Sequence, residues 1–495
     1  MPRKQTAGKI HRDPMSRVDT AWLRMERPTN LMMITGVLVL ETPLPIDSLR
    51  KVIKQRFLSY PRFRQKAVDG TTGAVWEDDA DFDINWHVRL AALPGRAGKH
   101  ELERFVSELA STPLDKTRPL WTFHLVESYH GGCAVVARIH HCYADGIALM
   151  QVILSLTDTT PSGSKGSELA HAWLKDDGAA VARRFGAIGR YVQMGEQVIE
   201  KGIAMGAQLW HDPSLATMLA NESRAIASEF INAVALTDDP QTLLKGRLGG
   251  IKRVSWADRV DLEEVKAVGR AYGCTVNDVL LASAAGALRG YLLDRGEPID
   301  GVTLRATVPV NLRPLEHAKK LGNHFGLVFL DLPVGEDNPV GRLERIAAHM
   351  DMLKTSRQAV MTFGLLAALG AAPNGILQFA LELFSRKASA VATNVPGPEM
   401  PLYMGGHKMR EVMAWVPQTG SVGIGLSILS YNGGVQFGLI ADSRLMPDPD
   451  AVIRRFRPEF DKLLYLAMLG DWDDPIRAYD AELLHANLLE TGTTR

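Results

Sequence analysis

Cysteine is scarce in this chain of 495 residues: Cys133, Cys142 and Cys274 are the only three. They are too few for a disulfide framework and show no metal-ligand spacing, so no metal site is expected and a reducing, cytoplasmic setting is. Neither sign of charge is in excess, with 56 Lys+Arg against 56 Asp+Glu. No global field would therefore draw in nucleic acid or an acidic partner. A Gly-rich phosphate loop and a short-period internal repeat are both missing. Arg3, Lys4 and Arg12 are not followed at once by an apolar run, which argues against a secretory signal. One uncharged stretch, Gln358 to Leu381, has the length of a membrane span. Pro373-Asn374-Gly375 in its second half reads as a turn, so a buried or membrane-touching helical hairpin is predicted instead.

What is present starts from Arg138-Ile139-His140-His141-Cys142-Tyr143-Ala144-Asp145-Gly146. The apolar run Cys133 to Ala137 before it suits a strand. After it, Leu149, Val152, Ile153 and Leu156 recur at helical spacing. The stretch is thus a strand, a turn and a helix, with Asp145 at or near the N-cap. Adjacent strand residues point to opposite faces, so His140 and His141 are not expected to share one site unless the strand has already ended. One would face substrate and the other would be held inside the fold. A neutral imidazole is the usual base for deprotonating an alcohol or amine as it attacks a carbonyl, and it needs its other ring nitrogen held in one tautomer. Asp145 is a candidate for that partner; capping the helix, or pairing with an arginine to fix the turn, is the alternative. A nucleophilic role for Cys142 explains the pattern less well than a histidine base.

His140-His141-x-x-x-Asp145-Gly146 resembles the HHxxxDG motif of the acyltransferase superfamily with the chloramphenicol acetyltransferase-like fold, which includes peptide-synthetase condensation domains. Further stretches select a branch. The opening Met15 to Trp22 with Glu26-Arg27-Pro28-Thr29-Asn30, the Pro119-Leu120-Trp121 element, Asn277-Asp278, Val308 to Arg313, Leu321-Gly322-Asn323-His324 and Asn394-Val395-Pro396-Gly397-Pro398 are similar to motifs of bacterial wax ester synthase/diacylglycerol acyltransferases, in the same order. The resemblance implies an α/β fold of two acetyltransferase-like domains, each a mixed sheet with flanking helices, and an active centre in a tunnel between them. It implies acyl-CoA as a donor substrate with no bound cofactor, diacylglycerol or a long-chain alcohol as acceptor, and a location at the inner membrane surface or lipid inclusions. His141, His140, Asp145 and Gly146 become the candidate catalytic set. Arg64 becomes the candidate arginine for Asp145, while Pro119 and Trp121 are expected to pack. Asn394, Pro396 and Gly397 are expected to bend the backbone and shape a channel.

The expected domains are 1–165, a helical linker over 166–245, a second domain over 246–475 and a peripheral tail over 476–495. The linker is Ala-rich and amphipathic, as in Ile188 to Leu209, and is read either as a tie between halves or as a lipid-meeting surface. Val75 to Glu77 and Phe82 to Val88 are read as strands. Thr275 and Asp278 have capping-box spacing ahead of a helical stripe. Asn277 beside them either belongs to a well-capped core helix or offers its amide, with free backbone donors, to an oxyanion or to the histidine. Lys245-Gly246-Arg247-Leu248 departs from the family's more usual Asn-Gly-Pro at this point, which bears on substrate size. Two other functions remain: a condensation-type enzyme forming amides from carrier-bound acyl groups, and a non-catalytic lipid-binding relative.

Overall fold

The computed structural model describes residues 11–70, 73–163, 236–312, 321–356, 358–470 and 474–483. Most of the expected linker, including Ile188 to Leu209, and Arg313 lie outside the described residues.

The chain opens with β1 (Arg12–Pro14) and α1 (Arg17–Met25). Ser16 starts that helix by accepting the Asp19 N–H at 3.1 Å. The apolar run that follows becomes β2 (Met33–Leu40), buried at every position. Pro45 precedes α2 (Ile46–Gln55), and β3 (Gln65–Val68) and β4 (Val75–Asp78) join β1 in a small sheet of order β1-β4-β3. The strand expected over Phe82 to Val88 is interrupted. Asp83 accepts the Asn85 N–H at 2.9 Å and opens a one-turn helix, α3 (Ile84–His87), before the chain extends as β5 (Val88–Ala92). An aspartate bonding its own backbone two residues on overrides the apolar alternation there. Next come α4 (Lys99–Ala110), β6 (Trp121–Tyr129), β7 (Gly132–His140) and α5 (Gly146–Ser155).

The second half runs β8 (Lys252–Trp256), β9 (Val260–Asp261), α6 (Leu262–Tyr272), α7 (Val276–Leu293), β10 (Leu304–Asn311) and β11 (Phe325–Leu332). It continues through α8 (Pro339–Thr355), α9 (Gln358–Ala371), α10 (Asn374–Ser385), β12 (Ala390–Val395), β13 (Tyr403–Met404), β14 (His407–Trp415), β15 (Ile424–Tyr431), β16 (Gly434–Asp442) and α11 (Asp450–Leu469).

Two large sheets carry the architecture. One has the order β13-β14-β2-β7-β6-β5, the other β11-β10-β12-β15-β16-β8 with β9 alongside β16. In the first, β7 is central, antiparallel to both β2 and β6, with all nine residues buried. Its outer edge is made by residues assigned from sequence to the second domain: β14 pairs β2 from Met409↔Leu40 to Trp415↔Thr35. The division at 246 is therefore not a division between sheets. Pairing across more than 350 residues covers the edge of β2, and a strand's own pattern does not say which edge it will cover.

The apolar stretch forms two helices, α9 and α10, broken where Pro373 caps the second. No helix among the described residues is long and apolar enough to cross a membrane. Helix α9 lies against α1 so closely that a Cβ on Gly370 would stand 1.8 Å from the Arg17 carbonyl oxygen. Only hydrogen fits at that crossing.

Candidate active site

Strand β7 ends at His140, and the turn after it is stitched to its surroundings by backbone bonds. The His140 N–H donates to Leu120 O at 2.9 Å, the His141 N–H to Met32 O at 2.7 Å and the Tyr143 N–H to His140 O at 3.1 Å. Because the strand stops there, the opposite-face expectation fails: both rings meet α1 or its C-cap, one turn apart.

His140 is 1% exposed, with Nε2 3.2 Å from the Glu26 carboxylate. Its Nδ1 accepts the Cys142 N–H at 3.2 Å, which leaves the ring proton on Nε2, facing Glu26. Lys116 Nζ reaches the same carboxylate at 2.8 Å. Burial pushes Glu26 up, but the hydrogen bonds and charges of His140 and Lys116 outweigh it and bring the carboxyl down to about 2. His140 thus faces the Glu26 carboxylate at the end of α1, with the exposed Lys116 on that carboxylate's outer side.

His141 is 4% exposed and stacks on Trp22, with ring centroids 4.1 Å apart and planes at 21°. Phe325 of β11 lies on it at 5.5 Å. Burial lowers its pKa to about 4, opposed by the charge of Asp145. The ring is therefore neutral at pH 7, the state that accepts a proton, and the nearby carboxylate favours the imidazolium as it forms. Its Nδ1 is buried with no hydrogen-bond partner.

Asp145 does two things. One carboxylate oxygen accepts the Ala148 N–H at 2.9 Å and caps α5; the other accepts the His324 N–H at 2.9 Å, from the second half of the chain. Around this bond the two halves form a short bridge: Gly322 N–H to Tyr143 O at 3.1 Å, Asp145 N–H to Gly322 O at 3.4 Å, and Asn323 Nδ2 to His141 O at 2.8 Å. The carboxylate fixes the turn. Arg64, its expected partner, is exposed and lines a surface cavity of about 800 Å³ with Tyr60, Arg62, Asp78, Asp79 and Leu321. A Cβ on Gly146 would meet nothing within 4 Å, so there is open space beside the first turn of α5.

The remaining candidates sort by their bonds. Asp278 closes a capping box, its Oδ2 accepting from Thr275 N at 2.8 Å and Thr275 Oγ1 at 2.7 Å. Asn277 Oδ1 accepts from Asn394 Nδ2 at 2.9 Å, which joins two motifs 117 residues apart. The amide bonded at His141 belongs to Asn323 instead. Gly397 donates to Ser430 Oγ at 3.1 Å, and a Cβ there would stand 2.2 Å from the Ser430 carbonyl oxygen. The bend through Pro396 and Gly397 thus lets two strand ends touch. Trp121 is fully buried and donates to Phe63 O at 2.8 Å, with the Pro119 carbonyl accepting its backbone N–H at 2.8 Å. Cys142 is fully buried and burial raises its thiol well above the usual range, so it stays protonated. Sequence reasoning passed over Asp19, Trp22 and Asn323 as functional residues.

Comparison with solved structures defines the class. The fold is that of the wax ester synthase/diacylglycerol acyltransferase from Marinobacter aquaeolei VT8, at TM-score 0.64 and 23% identity over 92% of this chain and 100% of that one. The first condensation domain of the calcium-dependent antibiotic synthetase shares it at TM-score 0.56 and 15% identity, over 96% and 99% of the two chains. This is the two-domain chloramphenicol acetyltransferase-like architecture. In sequence, a probable diacylglycerol O-acyltransferase of Mycobacterium tuberculosis H37Rv is 28% identical over 445 residues, 88% of this chain and 92% of that protein. The wax ester synthase/diacylglycerol acyltransferase catalytic domain matches residues 15–280, and the WS/DGAT C-terminal domain matches residues 321–464. The chain belongs to the wax ester synthase/diacylglycerol acyltransferase family and is an acyltransferase.

Proposed function

We propose that this protein transfers a fatty acyl group from acyl-CoA directly to the hydroxyl of diacylglycerol or a long-chain alcohol. His141, through Nε2, takes the hydroxyl proton as that oxygen attacks the thioester carbonyl carbon. The carbon–sulfur bond then breaks, and the proton passes from the imidazolium to the departing thiolate. A positioned base of this kind contributes roughly 10² to 10⁴-fold. Orientation of the two substrates and stabilisation of the oxyanion supply the rest. The observation that carries the reading is a neutral imidazole stacked on Trp22 and touching Phe325, on a turn shared by both halves of the chain. The acceptor is read by offering the purified protein palmitoyl-CoA with hexadecanol and dioleoylglycerol in competition. Ester of one or both is the expected product; transfer to neither would overturn the reading.

The protein's substrates are lipids, and we place its lipid contact at the α9–α10 hairpin. Ile376 and Phe379, three residues apart on α10, are 56% and 73% exposed. Large apolar side chains held open to solvent on an uncharged helical turn fit an interfacial surface. Phe379→Glu is expected to reduce co-flotation with phosphatidylcholine/phosphatidylglycerol vesicles severalfold. Unchanged flotation of this variant and of Ile376→Glu would move the contact elsewhere.

A further inference from the structure

Asn323 is 2% exposed and sits on the short bridge between the two halves. Its Nδ2 donates twice, to the His141 carbonyl oxygen at 2.8 Å and to Asp19 Oδ1 at 2.7 Å, and its backbone N–H donates to the same Asp19 oxygen at 3.1 Å. With both amide hydrogens committed, the orientation of the amide is fixed, and its Oδ1 is left buried with no partner. On the same cluster His141 Nδ1 is also buried with no partner. A buried polar atom left without a bond is costly, so two complementary ones on the same cluster call for one explanation. Asp19, 7% exposed, comes from α1 one turn before Trp22, the residue stacked on the His141 ring.

We infer that Asn323 and Asp19 are the positioning residues of the base: Asn323 Oδ1 receives the Nδ1–H of His141 as the site closes on substrate, and Asp19 holds the amide so that oxygen, not nitrogen, faces the ring. This keeps the proton on Nδ1 and the lone pair of Nε2 free for the acceptor hydroxyl. The Asn323 side chain also favours the protonated imidazole, in keeping with a partner for the imidazolium formed during transfer. The inference rests on the reading of His141 as the base and assigns the orienting role to a chain His141–Asn323–Asp19 that spans both halves of the protein.

The test compares Asn323→Ala, Asp19→Asn and the double variant with the full-length parent, using palmitoyl-CoA and hexadecanol. Asn323→Ala is expected to lower kcat about 10 to 100-fold, the range of outer partners of a positioned histidine, with KM within about threefold. Asp19→Asn is expected to lower kcat less, and the double variant to be no slower than Asn323→Ala alone, since both act through one bond. Independent, multiplying losses in the double variant would overturn the chain, as would kcat near the parent in Asn323→Ala. If these variants melt early, kcat measured well below their melting temperatures decides: a rate near the parent's there also overturns it. Should His141→Ala remain active, the reading of the base has failed; an inactive His141→Ala beside active Asn323 variants means that only the orienting role has.

Discussion

His141→Ala is expected to reduce turnover to background while the protein remains folded. The loss should be at least about 10²-fold in kcat, the lower bound for removing a positioned base, and larger if the imidazole also returns the proton to the thiolate. Stability should change modestly, because the ring makes apolar contacts with Trp22 and Phe325 and its Nδ1 holds no partner that the substitution would strand. The bonds that shape the turn run through the backbone of residue 141, to Met32 and from Asn323, and they survive truncation. Release of free thiol from palmitoyl-CoA with hexadecanol reads the rate, and thermal melting reads the fold. Activity near that of the parent would remove His141 from the mechanism.

Asp145→Ala should behave differently, losing stability and rate together. It removes the cap of α5, a change that costs about 0.5–2 kcal/mol, and takes the acceptor from the half-buried His324 N–H, which adds to the loss. It also cuts a bond between the two halves at the place where Asn323 meets His141, so the base should lose its geometry. Melting several degrees below the parent, with kcat down tenfold or more, is the expected outcome. A variant that melts with the parent would contradict the structural role of the carboxylate, whatever its rate.

The histidine turn was legible because its pattern changes from apolar strand to helical spacing across seven residues, with a capping aspartate where the change occurs. The aspartate's second bond was not legible. It runs to a backbone N–H 179 residues away, and a backbone donor leaves no mark in the residue type. Arg64 was proposed by likeness to the superfamily's arginine after the first helix, and a short 3-10 helix leaves it on the surface. The expected opposition of His140 and His141 rested on a strand continuing past His140, and it ends there. Asn277 was noticed for its place near a helix start, and its side-chain oxygen accepts from Asn394. Asn323 stood in a recognised stretch, Leu321-Gly322-Asn323-His324, but its part at His141 depends on Asp19, 304 residues earlier. The place of β14 was hidden for the same reason: alternation marks a strand, and only assembly decides that it pairs with β2 in the sheet of the first half.

The most direct measurement is the balance of products from one reaction: coenzyme A released and ester formed by the purified protein given long-chain acyl-CoA and a fatty alcohol. Direct transfer predicts one ester for each thiol, with little release when the alcohol is left out. Acyl-CoA bound without release, release that yields only free acid, or acyl transfer seen only from a phosphopantetheinyl carrier to an amine would contradict it.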